Sequence, residues 1–134
     1  MPHSQASLSA QANNRIDRDK IPVEVKYHRR SRILELIYPK QNTVELSSEY
    51  LRVHSPSAEV QGHSPEQAVL QYAKQNINIE DIIMQGSYAI KLSFDDKHDT
   101  GIYTWNYLWD LAENHSAYWQ NYLKALAAAG KSRT

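Results

Sequence analysis

The sequence predicts an α+β domain in which two small antiparallel β-meanders pack with helices in a two-layer arrangement, closed by a C-terminal helix pair. Three observations predict it. Apolar and polar residues alternate in two separate stretches, from Val23 to Tyr38 and from Ile79 to Phe94. Turn-forming residues end the first stretch, at Pro39-Lys40-Gln41-Asn42, and interrupt the second, at Gly86-Ser87. From Trp105 onward the apolar residues recur at i, i+3, i+4 and i+7, the period of a helix with one buried face.

The elements follow in order. Residues 1–20 read as a disordered tail, rich in Ser, Gln, Asn and Ala and without the apolar centre of a secretory signal. The domain then runs over residues 21–130, with a second short tail at 131–134. Val23, Val25 and Tyr27 form the buried face of a first strand, and Arg29-Arg30 a turn. In the next strand Leu34, Leu36 and Tyr38 share one face. Ile33 and Ile37 occupy the other, which places this strand at the centre of its sheet. Thr43 to Leu46 completes the first meander. Ser47 or Ser48 caps a helical turn through Leu51-Arg52, and Val53 to Gly62 has no periodicity. Ser64-Pro65-Glu66-Gln67 has the cap, first-turn proline and Gln of a helix start. It predicts a helix to about Gln75 with Val69, Tyr72 and Ala73 on its apolar stripe.

The second meander runs from Ile79 to Gln85, then through Tyr88, Ile90, Leu92 and Phe94 on one face, and re-enters at Gly101-Ile102-Tyr103 after a polar loop. Thr104 caps a helix bearing Trp105, Leu108, Trp109 and Ala112. Asn114-His115 breaks it, Ser116 caps the last helix, and Gly130 stops it. The three tryptophans follow the helical period, so they are expected as core anchors.

Composition excludes several classes. The chain has 134 residues, 41% hydrophobic and 22% charged, the profile of one folded domain. Fifteen basic residues balance fifteen acidic ones, so no basic excess points to nucleic acid. No apolar run approaches the ~20 residues of a membrane span, so no membrane partner is expected and the expected location is cytoplasmic. There is no cysteine, hence no disulfide, thiolate metal site or cysteine nucleophile. No Gly-rich phosphate loop, G-x-S-x-G elbow, H-E-x-x-H or H-x-D occurs.

Two stretches carry a more specific signal. They are Leu51-Arg52-Val53-His54-Ser55-Pro56-Ser57-Ala58-Glu59-Val60 and Phe94-Asp95-Asp96-Lys97-His98-Asp99-Thr100-Gly101-Ile102-Tyr103-Thr104-Trp105. They resemble the domain at the N-terminus of gamma-butyrobetaine hydroxylase and trimethyllysine dioxygenase, found alone in bacteria as the DUF971 family. The resemblance spans about Ile21 to Leu111. It implies one zinc ion, held by three cysteines in a C-x-C-x-x-C run and by the His of a D-G-H-x-x-G-I-Y motif. The matching positions here are Ser55, Ser57, Val60 and His98, so three of the four ligands are replaced and no cofactor is expected. Lys97 stands where the motif has Gly, a position that would be strained if its φ is positive.

The residues leave two arrangements open for this corner. In one, serine hydroxyls bond the loop backbone or the His98 ring while Val60 packs inward. In the other, His98 joins His54, His63, Asp95, Asp96 or Asp99 in a metal site of another type. The expected function is a non-catalytic accessory or protein-interaction domain. Its candidate surface is Arg52, His54, His63, Asp96 and Asp99, and its protein partner is unknown. The resemblance adds a link to metallocofactor handling, since the same domain is fused in some chains to Mrp-type nucleotide-binding proteins. It also leaves the alternative of an accessory domain for an iron- and 2-oxoglutarate-dependent oxygenase.

Overall fold

The computed structural model describes residues 17–134; Met1 to Ile16, the bulk of the expected N-terminal tail, lie outside the described residues. Strands β1 (Glu24–His28), β2 (Ile33–Ile37) and β3 (Thr43–Ser47) form an antiparallel sheet in the order β1-β2-β3. Strands β4 (Ile79–Gln85), β5 (Ala89–Phe94) and β6 (Gly101–Thr104) form a second, in the order β4-β5-β6. The helices are α1 (Ser48–Val53), α2 (Ala58–Gln61), α3 (Trp105–Glu113) and α4 (His115–Ala129). The molecule is α+β, with two three-stranded meanders and a C-terminal helix pair.

Alternation sets which side of each strand is buried. Leu34 lies opposite Tyr27 and Leu46, and Leu36 opposite Val25 and Val44, so one apolar row crosses the first sheet. In the second sheet Ile90 lies opposite Met84 and Tyr103, and Leu92 opposite Ile82 and Gly101. Both inner faces meet α3, and Leu34, Leu36, Leu92, Leu108 and Leu111 are fully buried in one shared core. Each such leucine contributes about 1.5–3 kcal/mol through removal from water. A smaller cluster of Val53, Tyr122 and Leu126 fastens α4 to the end of α1.

The caps are local and match the residues that make them. The hydroxyls of Ser47 and Thr104 accept from the amides of Tyr50 and Tyr107, opening α1 and α3. Gly130, at φ 68°, closes α4: its amide donates to the carbonyl of Ala127, and that of Lys131 to Leu126. The tryptophans sit on the core as expected. Trp105 is buried and donates to the carbonyl of Ser87 at 2.8 Å, and Trp109 meets Tyr38 edge-on at 5.0 Å.

The structure differs from the expectations at several places. The helix expected from Ser64 to Gln75 is a single 3-10 turn, Pro65–Gln67. Beyond it the chain is drawn into tertiary bonds: Val69 donates its amide to Val60, and the Tyr122 hydroxyl donates to the carbonyl of Gln71. The supposed stripe residues Val69 and Tyr72 are exposed, so no burial repays a helix there. Tyr88 precedes β5 and is exposed rather than core-facing, and Val23 lies outside β1 and is exposed. The last helix starts at His115 rather than after a Ser116 cap, with Asn114 turned back onto Asp110. Arg18–Lys20 form a 3-10 turn, and residues 132–133, read above as tail, bond to the body through Ala73 and Gln75.

Candidate functional site

Helix α1 organises the site because all six of its residues are buried. A helix buried on every side cannot leave charges unpaired, yet this one carries Glu49 and Arg52. The chain resolves this by bringing distant segments to each. Arg52 Nε donates to Asp96 Oδ2 at 2.9 Å, in the loop between β5 and β6, and Lys74 Nζ reaches the same oxygen at 2.6 Å. Glu49 takes two bonds from Arg133, at 2.8 and 2.7 Å.

Ser55, Ser57, Val60 and His98 come together in one corner between α1, α2 and that loop. Ser55 is fully buried, and its Oγ lies 2.8 Å from His98 Nε2. The Ser57 amide donates to Ser55 Oγ at 3.2 Å, and Ser57 Oγ is 2.7 Å from Thr100 Oγ1. Ser57 also accepts from the Glu59 amide and so caps α2, while Gln61 donates to the carbonyl of Ser55. Val60 is 5% exposed and presents methyl groups inward. On the other side of the imidazole, Nδ1 lies 3.5 Å from the Glu59 carboxylate. A carboxylate there favours the proton on Nδ1 and leaves Nε2 to accept from the Ser55 hydroxyl. Burial, and then the Arg52 guanidinium, hold the His98 ring below the usual imidazole pKa, against the opposite pull of Glu59 and Asp96.

Backbone bonds shape the loop around this ring. The His98 carbonyl accepts from Phe94, and its amide donates to Asp96 Oδ1 at 3.1 Å. Lys97 adopts φ 70°, the left-handed conformation suited to the Gly of the related motif, at a cost of about 1–2 kcal/mol for a residue with a Cβ. Gly101 permits the close approach of β6: a Cβ there would meet Ser55 Oγ at 2.7 Å. The Tyr103 hydroxyl donates to the carbonyl of Leu51 at 2.6 Å, fixing the end of α1 to β6. Although burial acts the other way, Lys74, the His98 amide and Arg52 together hold the Asp96 carboxyl below its ordinary range.

Ser55, His98 and Glu59 stand in the order of a nucleophile, base and orienting acid. The hydroxyl is nonetheless sealed: it is fully buried, accepts from the Ser57 amide and is backed by Gly101, so no substrate carbonyl can reach it. Nor do the residues fit zinc. His98 Nε2 is engaged by a hydroxyl, a weak zinc ligand, and Val60 has no donor atom. Among the described residues no three His, Asp or Glu side chains are grouped so as to hold a metal ion.

The remaining candidates differ in exposure. Arg52 is 6% exposed and committed to Asp96, so it offers nothing at a surface. His54 is half-buried, its Nδ1 2.8 Å from the carbonyl of Tyr50, and burial lowers its pKa. His63, Asp96 and Asp99 are exposed, and Asp96 is held by its two cations. Sequence reasoning missed Glu49 and Arg133, a pair 84 residues apart with no local signature.

An α+β module with a buried serine–histidine corner between two loops is the class that this fold and site define. The chain belongs to the gamma-butyrobetaine hydroxylase-like N-terminal family, whose model matches residues 25–109. Two proteins solved in solution by NMR are similar to it. One is 50% identical with TM-score 0.72, covering 84% of this chain and 89% of its own. The other is 46% identical, also at TM-score 0.72, covering 89% and 90%. A crystal structure of a protein of unknown function from Acidithiobacillus ferrooxidans, of the DUF971 family, is 31% identical at TM-score 0.60, covering 72% of this chain and 98% of that one. No curated protein matches the chain. Among the described residues no helix is long and apolar enough to cross a membrane.

Proposed function

We propose that the chain is a non-catalytic protein-interaction module of the cytoplasm, which presents the loop from His54 to His63 and the loop around His98 as one rigid face. The bond between Ser55 Oγ and His98 Nε2 at 2.8 Å carries this reading. With the Ser57–Thr100 and Arg52–Asp96 contacts it ties the two loops together by side chains alone. The rim outside this corner stays free for a partner, with Glu59, His63, Lys97 and Asp99 exposed. Loops held in one geometry lose little entropy on binding, which suits recognition. A service to a metallocofactor-handling protein is the finer form of the proposal, supported by the resemblance.

Two measurements on the intact chain test it. Elemental analysis of protein purified without added metal is expected to find no stoichiometric metal. A photo-crosslinker at Asp99 is expected to trap a discrete protein in native lysate, whereas one at Glu45 in β3 does not. A metal at one equivalent, or equal trapping from both positions, would overturn the proposal.

A further inference from the structure

The pair that α1 makes at its other end is built like a binding site. Glu49 is buried, whereas the Arg133 side chain is about a third exposed. The contact is a two-pronged fork, with Nε and Nη2 each donating to one carboxylate oxygen. The same guanidinium lies over the ring of Trp119 at 5.2 Å. Fork and stacking together select a guanidinium over an ammonium, because a lysine offers one compact charge and no plane.

The backbone around Arg133 is recognised as well. The carbonyl of Ser132 accepts from the Ala73 amide at 2.9 Å, and that of Arg133 from the Gln75 amide at 3.0 Å. Residues 73–75 thus receive the segment as a strand edge receives a short peptide. Ala73 sits at φ 58° there, a costly conformation for alanine. Beside the pair opens a cleft of about 300 Å³ lined in part by Ser31, Arg32, Asn76 and His115. The two halves differ in attachment. Glu49, Trp119 and residues 73–75 belong to the body of the fold, whereas Arg133 lies beyond the Gly130 stop on a segment held by these bonds, by the Lys131 amide on the carbonyl of Leu126 and by Lys131 Nζ over the Tyr72 ring at 4.7 Å.

The geometry points to a guanidinium-binding site at Glu49 and Trp119, which the chain's own Arg133 fills and which takes an arginine-bearing peptide when residues 131–134 leave. The ligand is a short extended peptide with one arginine, and its backbone pairs with Ala73 and Gln75. Arg133 seated in the site supplies the complementarity. The site is separate from the His98 face and does not rest on the function proposed for it. Removing Arg133 leaves a buried carboxylate without its partner, which is what makes the vacated site receptive.

The test uses the full chain with Arg133→Ala and with Arg133→Lys, each checked for native amide dispersion. The probe is a peptide of residues 130–134, Gly-Lys-Ser-Arg-Thr, followed through the Trp119 indole signal by NMR. Both variants are expected to show a saturable shift. The unaltered chain should respond at least tenfold more weakly, because a tethered arginine competes at an effective concentration of about millimolar. The same peptide with alanine for arginine should give no shift, and Glu49→Gln added to Arg133→Ala should abolish the response. The inference is overturned if neither variant responds, if the alanine peptide responds equally, or if the double variant still binds. Self-association of the unaltered chain, with Arg133 of one copy in the site of another, would overturn the peptide reading in favour of exchange between copies.

Discussion

Gly101 and Ser55 should be coupled in stability, and the size of the coupling follows from two distances. Ser55→Ala removes the partner of His98 Nε2 and an acceptor of the Ser57 amide in a fully buried place. Leaving such groups unsatisfied costs about 1–3 kcal/mol. Gly101→Ala puts a methyl 2.7 Å from Ser55 Oγ and 3.0 Å from Tyr103 Cε1. Overpacking of this kind costs about 1–3 kcal/mol, and relief by moving Oγ would break the His98 bond as well. In the double variant the 2.7 Å obstacle is gone, and the tyrosine ring need yield only a few tenths of an ångström. Gly101→Ala should then cost roughly 1 kcal/mol or less, leaving a coupling of about 1–2 kcal/mol, with the double variant more stable than the sum of the single ones. Urea unfolding of the four proteins measures this, each kcal/mol also moving Tm by about 4 °C at this size. Additivity within about 0.5 kcal/mol would refute the reasoning, since it would mean that Gly101 does not hold Ser55 against the imidazole.

Acid should weaken the fold through its buried imidazoles. His98, by burial and then Arg52, and His54, by burial, titrate below the ordinary value of 6.5 when folded. The unfolded chain binds more protons there, so stability is full above pH 6.5 and is lost as pH falls from 6.5 toward the lowered folded values. The urea midpoint should drop over that window, and His98→Gln should flatten the drop; an unchanged slope would remove His98 as a cause. Replacing Ser55, Ser57 and Val60 together by cysteine should create a zinc site with His98. One equivalent of zinc by elemental analysis is the expected result, and a metal-free triple variant would show that the corner lacks more than thiolates.

Legibility in the sequence followed how local each cause is. Strand alternation in β2, the Thr104 cap and the Gly130 stop rest on residues within a few positions, and they are read directly. The stretch 64–75 misled because its start signal is local while its outcome is set by Val60, Tyr122 and residues 132–133. Those partners take the amides of Val69, Ala73 and Gln75 and the carbonyl of Gln71, and Tyr72 finds no core to enter. At the site, the meeting of Ser55 with His98 was approachable because two motifs carried a resemblance. The burial of Arg52 and the link from Glu49 to Arg133 had no such guide, because a charge in the sequence reads first as a solvated one.

The two charges of α1 connect these corners. A buried ion pair gains little net stability over well-packed apolar groups, because desolvation consumes most of the attraction. Its effect is to penalise any arrangement in which one partner is missing. Arg52 therefore specifies where the His98 loop docks, and Glu49 specifies where residues 131–134 dock. Both dockings pass through residues 73–75. The amides of Ala73 and Gln75 hold the terminal segment, while the Lys74 ammonium between them holds Asp96 at 2.6 Å. A three-residue strap thus bears on the guanidinium site with its backbone and on the histidine corner with its side chain.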